Sequence, residues 1–226
     1  VFDNGGTRII DAAAYNETTQ EVTFDNVVFK NNNYFTLLID VYAIAPGGVT
    51  SGIQAWLRAD KGITVATGVS KWADQSTNNR EAAQATVANQ PTYNMTSSLM
   101  NFNQNASFDG TNDVLTFGHN LGLVGDVEVH FFGAVHRATL GTDDAIIGPS
   151  AATSQNIDFG IGSSNWTYLD RNSTAFSTAT TVQSTSVPYI LGARKNTGNT
   201  ATDVQFYLNG KSDGTANLAS AWSIAN

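Results

Sequence analysis

Ser107-Phe108-Asp109-Gly110-Thr111-Asn112-Asp113-Val114-Leu115-Thr116-Phe117 sets the pattern on which the fold is read. Two short runs, Ser107-Phe108 and Val114 to Phe117, have strand character. Between them lie Asp109-Gly110 and Asn112-Asp113, residue pairs whose side chains and backbone favour turns. Outward along the chain the same alternation continues. Val127 to Val135, Asp158 to Ile161, Tyr189 to Ala193 and Val204 to Leu208 read as strands. Gly118, Gly141, Gly162 and Asn209-Gly210 separate them. Short strands at this spacing predict an antiparallel sandwich or jelly roll. No amphipathic helix longer than about 12 residues is found.

Upstream the reading is less uniform. Ile53, Ala55 and Leu57 alternate with Gln54, Trp56 and Arg58, but Ile53, Trp56 and Leu57 also fit one helical turn. Ala45-Pro46-Gly47-Gly48 contains the residues of a linker, with Pro blocking helix and Gly-Gly freeing the backbone. Before it, Val22 to Val28 alternates as a half-buried strand and Tyr34 to Ile39 reads as a second strand. Gly5-Gly6 and Tyr15-Asn16-Glu17-Thr18 supply loops. Residues 1–45 are therefore expected to be the C-terminal part of a preceding β domain, 46–48 a linker, and 49–226 one large β-sandwich. The chain opens at Val1 without a Met. After Asn209-Gly210 no apolar strand is visible. Both ends read as cut, so the chain is expected to be a piece of a longer exported protein, with the sandwich short of its closing strand.

Composition narrows the function classes. Charged residues make up 13% of the 226, against about 25% in ordinary soluble domains. The net charge is −8, and the 11 Lys and Arg residues are scattered. That argues against nucleic acid, since phosphate binding needs clustered cations. There is no cysteine, which removes thiol catalysis, disulfides and Cys-ligated zinc. A disulfide-free extracellular domain of this size fits a bacterial surface better than an animal one. The longest apolar stretch, Tyr34 to Ala45, is too short to span a bilayer, so no membrane insertion is expected.

Four motifs occur in order. Gly52-Ile53-Gln54-Ala55-Trp56-Leu57-Arg58-Ala59-Asp60 comes first, then Val69-Ser70-Lys71-Trp72-Ala73-Asp74-Gln75-Ser76. Asn89-Gln90-Pro91 and Ser107 to Leu115 follow, with Tyr207-Leu208-Asn209-Gly210 further on. The series resembles the concanavalin A-like, laminin G-like (LamG) domains of large secreted Bacteroidota cell-surface proteins, including gliding-motility adhesins. The match spans residue 49 to about 215. It departs from the family at Thr77-Asn78-Asn79 and in lacking the closing segment. The resemblance implies a jelly roll, a secreted or cell-surface location, and passage through outer-membrane secretion machinery during export.

Several constellations could carry chemistry. Glycoside hydrolysis needs two carboxylates about 5–10 Å apart, and Asp126 and Glu128 share one strand face with His130, opposite apolar Val127, Val129 and Phe131. A solvated strand face explains the same pattern. His119, His130 and His136 have no nucleophile elbow to serve. Calcium takes six to eight hard oxygens; Asp109, Asn112 and Asp113, joined by Asp74, could supply them, or Asp109 and Asp113 could simply build Asx turns and a hairpin. A second acidic loop is Gly141-Thr142-Asp143-Asp144. Trp56 and Trp72 are expected in the core. Trp166, with Tyr168, is the candidate for stacking on a sugar ring.

The expectation is a non-catalytic binding or adhesion module that recognises a glycan or another surface ligand, with calcium as a candidate cofactor. The alternative is an accessory carbohydrate-binding domain of a secreted glycoside hydrolase.

Overall fold

A computed structural model describes the chain. Within 51–217 it describes all residues except Asn120, Val124, 149–156, Asn165, 172–174, Ser186 and 199–202. Before that stretch it describes 2–3, 6–7, 14–16, 21–23, Pro46 and Val49. The chain divides into two compact units, Val1–Ala43 and Ile44–Asn226. The division falls just before the Pro46-Gly47-Gly48 stretch. Among the described residues the secondary structure is antiparallel β with a few short 3-10 turns. No helix among them is long and apolar enough to cross a membrane.

In the first unit, β1 (Phe2–Asp3) pairs with β2 (Gly6–Thr7), and β3 (Ala14–Asn16) with β4 (Glu21–Thr23). The strand expected from Val22 thus starts at Glu21. Its partner includes Tyr15 and Asn16, which the sequence had assigned to a loop. Residues 24–28 and Tyr34 to Ile39 lie outside the described residues.

The second unit begins with extended chain. Residues 53–57 form neither a named strand nor a helical turn, and Arg58 bridges to Lys61. Four strands then make one sheet in the order β10-β7-β6-β5: β5 (Ile63–Val65), β6 (Val69–Trp72), β7 (Ala82–Ala83) and β10 (Thr116–Phe117). The hairpin of β8 (Thr92–Ser97) and β9 (Asn103–Ser107) lies between β7 and β10 in sequence. The sequence motifs serve this region as fasteners. The Trp72 indole N–H donates to the Arg58 carbonyl at 2.7 Å. The Gln90 side chain accepts from Gly68 N–H at 3.2 Å and donates to the Gln84 carbonyl at 2.8 Å. Gly68 has to be glycine: a Cβ there would lie 2.7 Å from Gln90 Cβ and 2.9 Å from the Pro91 carbonyl oxygen.

Two four-stranded sheets follow. One runs β11-β16-β17-β18, from β11 (Val129–Val135), β16 (Tyr189–Lys195), β17 (Val204–Leu208) and β18 (Lys211–Ala216). The other runs β12-β13-β14-β15, from β12 (Asp144–Ile147), β13 (Ile157–Ile161), β14 (Thr167–Arg171) and β15 (Ala175–Thr178). They share one core. Ile157, Phe159, Ile161 and Leu169 of the second sheet pack with Leu191, Ala193, Val204 and Phe206 of the first. Phe131 adds an aromatic stack onto Phe159. Burial along β11 alternates residue by residue, so Val129, Phe131 and Val135 face this core. Two antiparallel sheets over a common apolar layer fit a β-sandwich.

A strand does follow Asn209-Gly210, though not the apolar one that the sequence pattern was searched for. Both turn residues have positive φ, 50° and 77°, the pair of values a type I′ hairpin demands. The strand was missed because β18 is polar: Lys-Ser-Asp-Gly-Thr-Ala. Its inward Asp213 is buried and accepts from the Thr180 hydroxyl at 2.9 Å and the Thr181 hydroxyl at 2.5 Å. Side-chain hydrogen bonds replace the apolar contacts that strand periodicity looks for.

Candidate binding face

The sugar-stacking pair does not stand at an open surface. Tyr168, at the start of β14, is 5% exposed and belongs to the buried set. Its phenol lies over Gly160 of the neighbouring strand, and so little of the ring is exposed that it offers no stacking surface to a ligand. Trp166 is half-buried, and its indole N–H is buried with no hydrogen-bond partner among the described residues. Trp56 is also half-buried, with the Arg58 guanidinium 5.3 Å from its ring centre. Trp222 lies outside the described residues.

The four calcium candidates split into two places. Asp109 Oδ1 accepts backbone N–H bonds from Thr111, Asn112 and Asp113 at 2.8, 3.1 and 3.3 Å. Asp113 Oδ2 accepts from Asp109 N–H at 2.9 Å. The Asn112 amide donates to Asn89 Oδ1 at 3.1 Å. This is an Asx-turn network. The N–H bonds from Thr111 and then Asn112 hold the Asp109 carboxyl below its usual range. Asp74 belongs to a different loop and is buried. Its Oδ1 accepts from Trp56 N–H (2.7 Å) and Ser76 N–H (2.8 Å). Its Oδ2 accepts from the Ser76 hydroxyl (2.6 Å) and Arg80 N–H (2.9 Å). Those four bonds occupy the lone-pair sites of an ionised carboxylate. Among the described residues no group of three or more His, Asp or Glu is arranged to hold a metal ion.

The acidic face of β11 and the residues just before it is present, but it is paired with cations. Glu128 Oε1 accepts from His130 Nε2 at 3.2 Å and from Arg194 Nε at 3.1 Å. The His130 hydrogen bond, followed by the charge of Arg194, lowers the Glu128 carboxyl. Asp126 Oδ2 accepts from Gly198 N–H at 2.6 Å. His136 bonds the Thr185 carbonyl at 3.0 Å.

What the sequence reading missed is the apolar part of the same face. Register pairs Phe132 of β11 with Gly192 of β16, and Gly192 with Tyr207 of β17. An absent side chain therefore sits between two aromatic ones on the face away from the core. Phe132 is 60% exposed and neighbouring Ile190 56% exposed. The result is a shallow depression of about 170 Å³ lined by these residues together with His130 and Arg194. Enclosed ligand pockets hold roughly 300–1,000 Å³, so this is a platform that can cover one side of a ring-sized group and leave the other wet. The available signal was Phe132 itself: alternation put an aromatic residue on the face of β11 that otherwise carries His130.

Comparison with protein-family models, with curated proteins and with solved structures finds no match for the chain.

Proposed function

We propose that the second unit is a concanavalin A-like jelly roll acting as a non-catalytic glycan-binding module of a secreted or cell-surface bacterial protein. The observation that carries this reading is the Phe132–Gly192–Tyr207 row. Aromatic side chains bury large apolar area with little conformational cost, and the C–H face of a pyranose is flat enough to lie over the gap that Gly192 leaves. Arg194, His130 and Glu128 border the apolar strip and supply donors and acceptors for hydroxyl groups. Charge there is balanced by the Glu128–Arg194 contact at 3.1 Å, which suits a neutral sugar.

Two features favour binding over hydrolysis. A glycosidase acid needs its carboxyl raised toward neutral pH, whereas Glu128 is lowered. The platform is also open, so it does not exclude water from a reacting centre. A one-ring site is weak by itself, and repetition of such modules along a surface protein would supply avidity.

The test is a glycan array probed with the chain, with calcium and with chelator. Binding that is reduced at least tenfold by Phe132→Ala and abolished by Gly192→Leu is expected. The leucine fills the depression, and residue 192 has ordinary strand geometry. Binding should be the same with chelator, because the platform contains no cation site. No ligand on the array, or ligands unaffected by both substitutions, would overturn the proposal.

A further inference from the structure

The charge cluster at the end of β16 is built like a reaction site rather than a surface pair. Lys195 and Asp203 are both 0% exposed, with Nζ 3.2 Å from Asp203 Oδ2. Apart from that ammonium, no donor among the described residues reaches either oxygen of Asp203. Nζ also donates to the carbonyl of Asn196 and, at 2.9 Å, to that of Gly198. A third carboxylate is adjacent: Asp126 Oδ1 lies 3.9 Å from Nζ, and its other oxygen is fixed by Gly198 N–H. Removing two charges from water is costly, and their attraction recovers that cost only when the remaining lone pairs are satisfied. Among the described residues, those of Asp203 are not.

We propose that Lys195 and Asp203 join in an intramolecular isopeptide bond, with Asp126 as the proton carrier. One ammonium proton passes directly to Asp203 Oδ2, 3.2 Å away, leaving a neutral amine beside a neutral acid. The Nζ lone pair forms a bond to Asp203 Cγ. A second Nζ proton travels through Asp126 to the hydroxyl on Cγ, and the C–O bond breaks to release water. Ammonium plus carboxylate becomes amide plus water, with no oxidant or co-reactant. The carbonyls of Asn196 and Gly198 hold the nitrogen in place. A dry site favours the amide, because water is the product that leaves and two buried charges vanish. The link would close the chain across the mouth of the β16–β17 connection in a protein with no cysteine for a disulfide.

The experiment is intact-mass measurement of the folded, aged chain under denaturing conditions, followed by tryptic mapping. The expected wild-type mass is one water below that of the sequence. Trypsin should fail to cut after Lys195, and the peptide reaching Lys211 should give no backbone fragments between 195 and 203. Asp203→Asn should release ammonia instead of water and arrive at the wild-type cross-linked mass. Asp126→Asn, at a partly exposed position, should fold and retain most of the uncross-linked mass. Folded wild type at its full sequence mass would overturn the proposal. So would a water loss that maps to Asp109-Gly110 or Asp213-Gly214, where succinimides form, instead of Lys195. Cross-linking of Asp126→Asn as fast as wild type would overturn the role of Asp126.

Discussion

The ring of Phe131 in β11 stacks on that of Phe159 in β13, with centroids 5.7 Å apart and planes 16° from parallel. This contact joins the two sheets across their shared core. Phe159 is 1% exposed, and truncating a buried Phe to Ala costs about 3–5 kcal/mol through lost transfer energy and the cavity left behind. Phe159→Ala should lower stability by that amount in urea unfolding followed by circular dichroism. A loss under about 1 kcal/mol would mean that the sheets are not packed through this pair.

Phe132 is one residue further along β11 and points the opposite way. Its ring is mostly in water, so Phe132→Ala should change stability by no more than about 0.5 kcal/mol, the usual range for exposed positions. Phe159 and Phe132 thus separate folding from binding. Unfolding curves for the two variants, set beside their glycan binding, should show one losing stability and the other losing ligand. Equal destabilisation by both would place Phe132 in the core and remove the platform.

The Asp74 carboxylate predicts an acid-dependent stability. Burial raises its pKa, but hydrogen bonds from the Ser76 hydroxyl, Ser76 N–H, Trp56 N–H and Arg80 N–H outweigh that and leave it lowered. A lowered folded-state value means the contribution is complete above the unfolded value near about pH 4. It is lost as pH falls through the lower folded value. Asp74→Asn turns an N–H donor toward one of the four donors and should cost about 2–3 kcal/mol at pH 7. The gap between wild type and variant should narrow on acidification below about pH 4. A gap independent of pH down to about pH 2 would show that the charge is not what the loop requires.

The legible parts of this chain were those written in backbone chemistry. Asn209-Gly210 specified a turn, Val127 to Val135 specified period two, and Asp109 and Asp113 specified a tight loop. Each depends on a few adjacent residues. The binding platform depends on register: Gly192 is informative only once it is known to face Phe132 and Tyr207, 60 and 15 positions away in the chain. Lys195 and Asp203 were equally silent, because a buried ion pair leaves no periodicity. Tyr168 misled for the converse reason. Its proximity to Trp166 in sequence suggested a shared surface, and the strand leaves its ring only 5% exposed, beside Gly160 of the neighbouring strand.

Arg137 provides the last test, of how the loops at one end of the sandwich are held. Its side chain is buried, and Nε lies 2.8 Å from Asp144 Oδ2. One guanidinium nitrogen donates to the Gly162 carbonyl at 3.1 Å, and another to the carbonyl and hydroxyl of Thr142. A single planar group therefore fastens the segment after β11 to the loop before β12 and the turn after β13. Arg137→Ala strands the two carbonyls. Asp144 is 44% exposed in its side chain and can rehydrate, so the cost should fall below the ~3–5 kcal/mol of a fully buried broken pair, at about 2–3 kcal/mol. Arg137→Lys should recover less than half of this, because an ammonium cannot present the fork that reaches three directions. Full recovery by lysine in thermal unfolding would show that charge alone, and not the fork, holds these loops together.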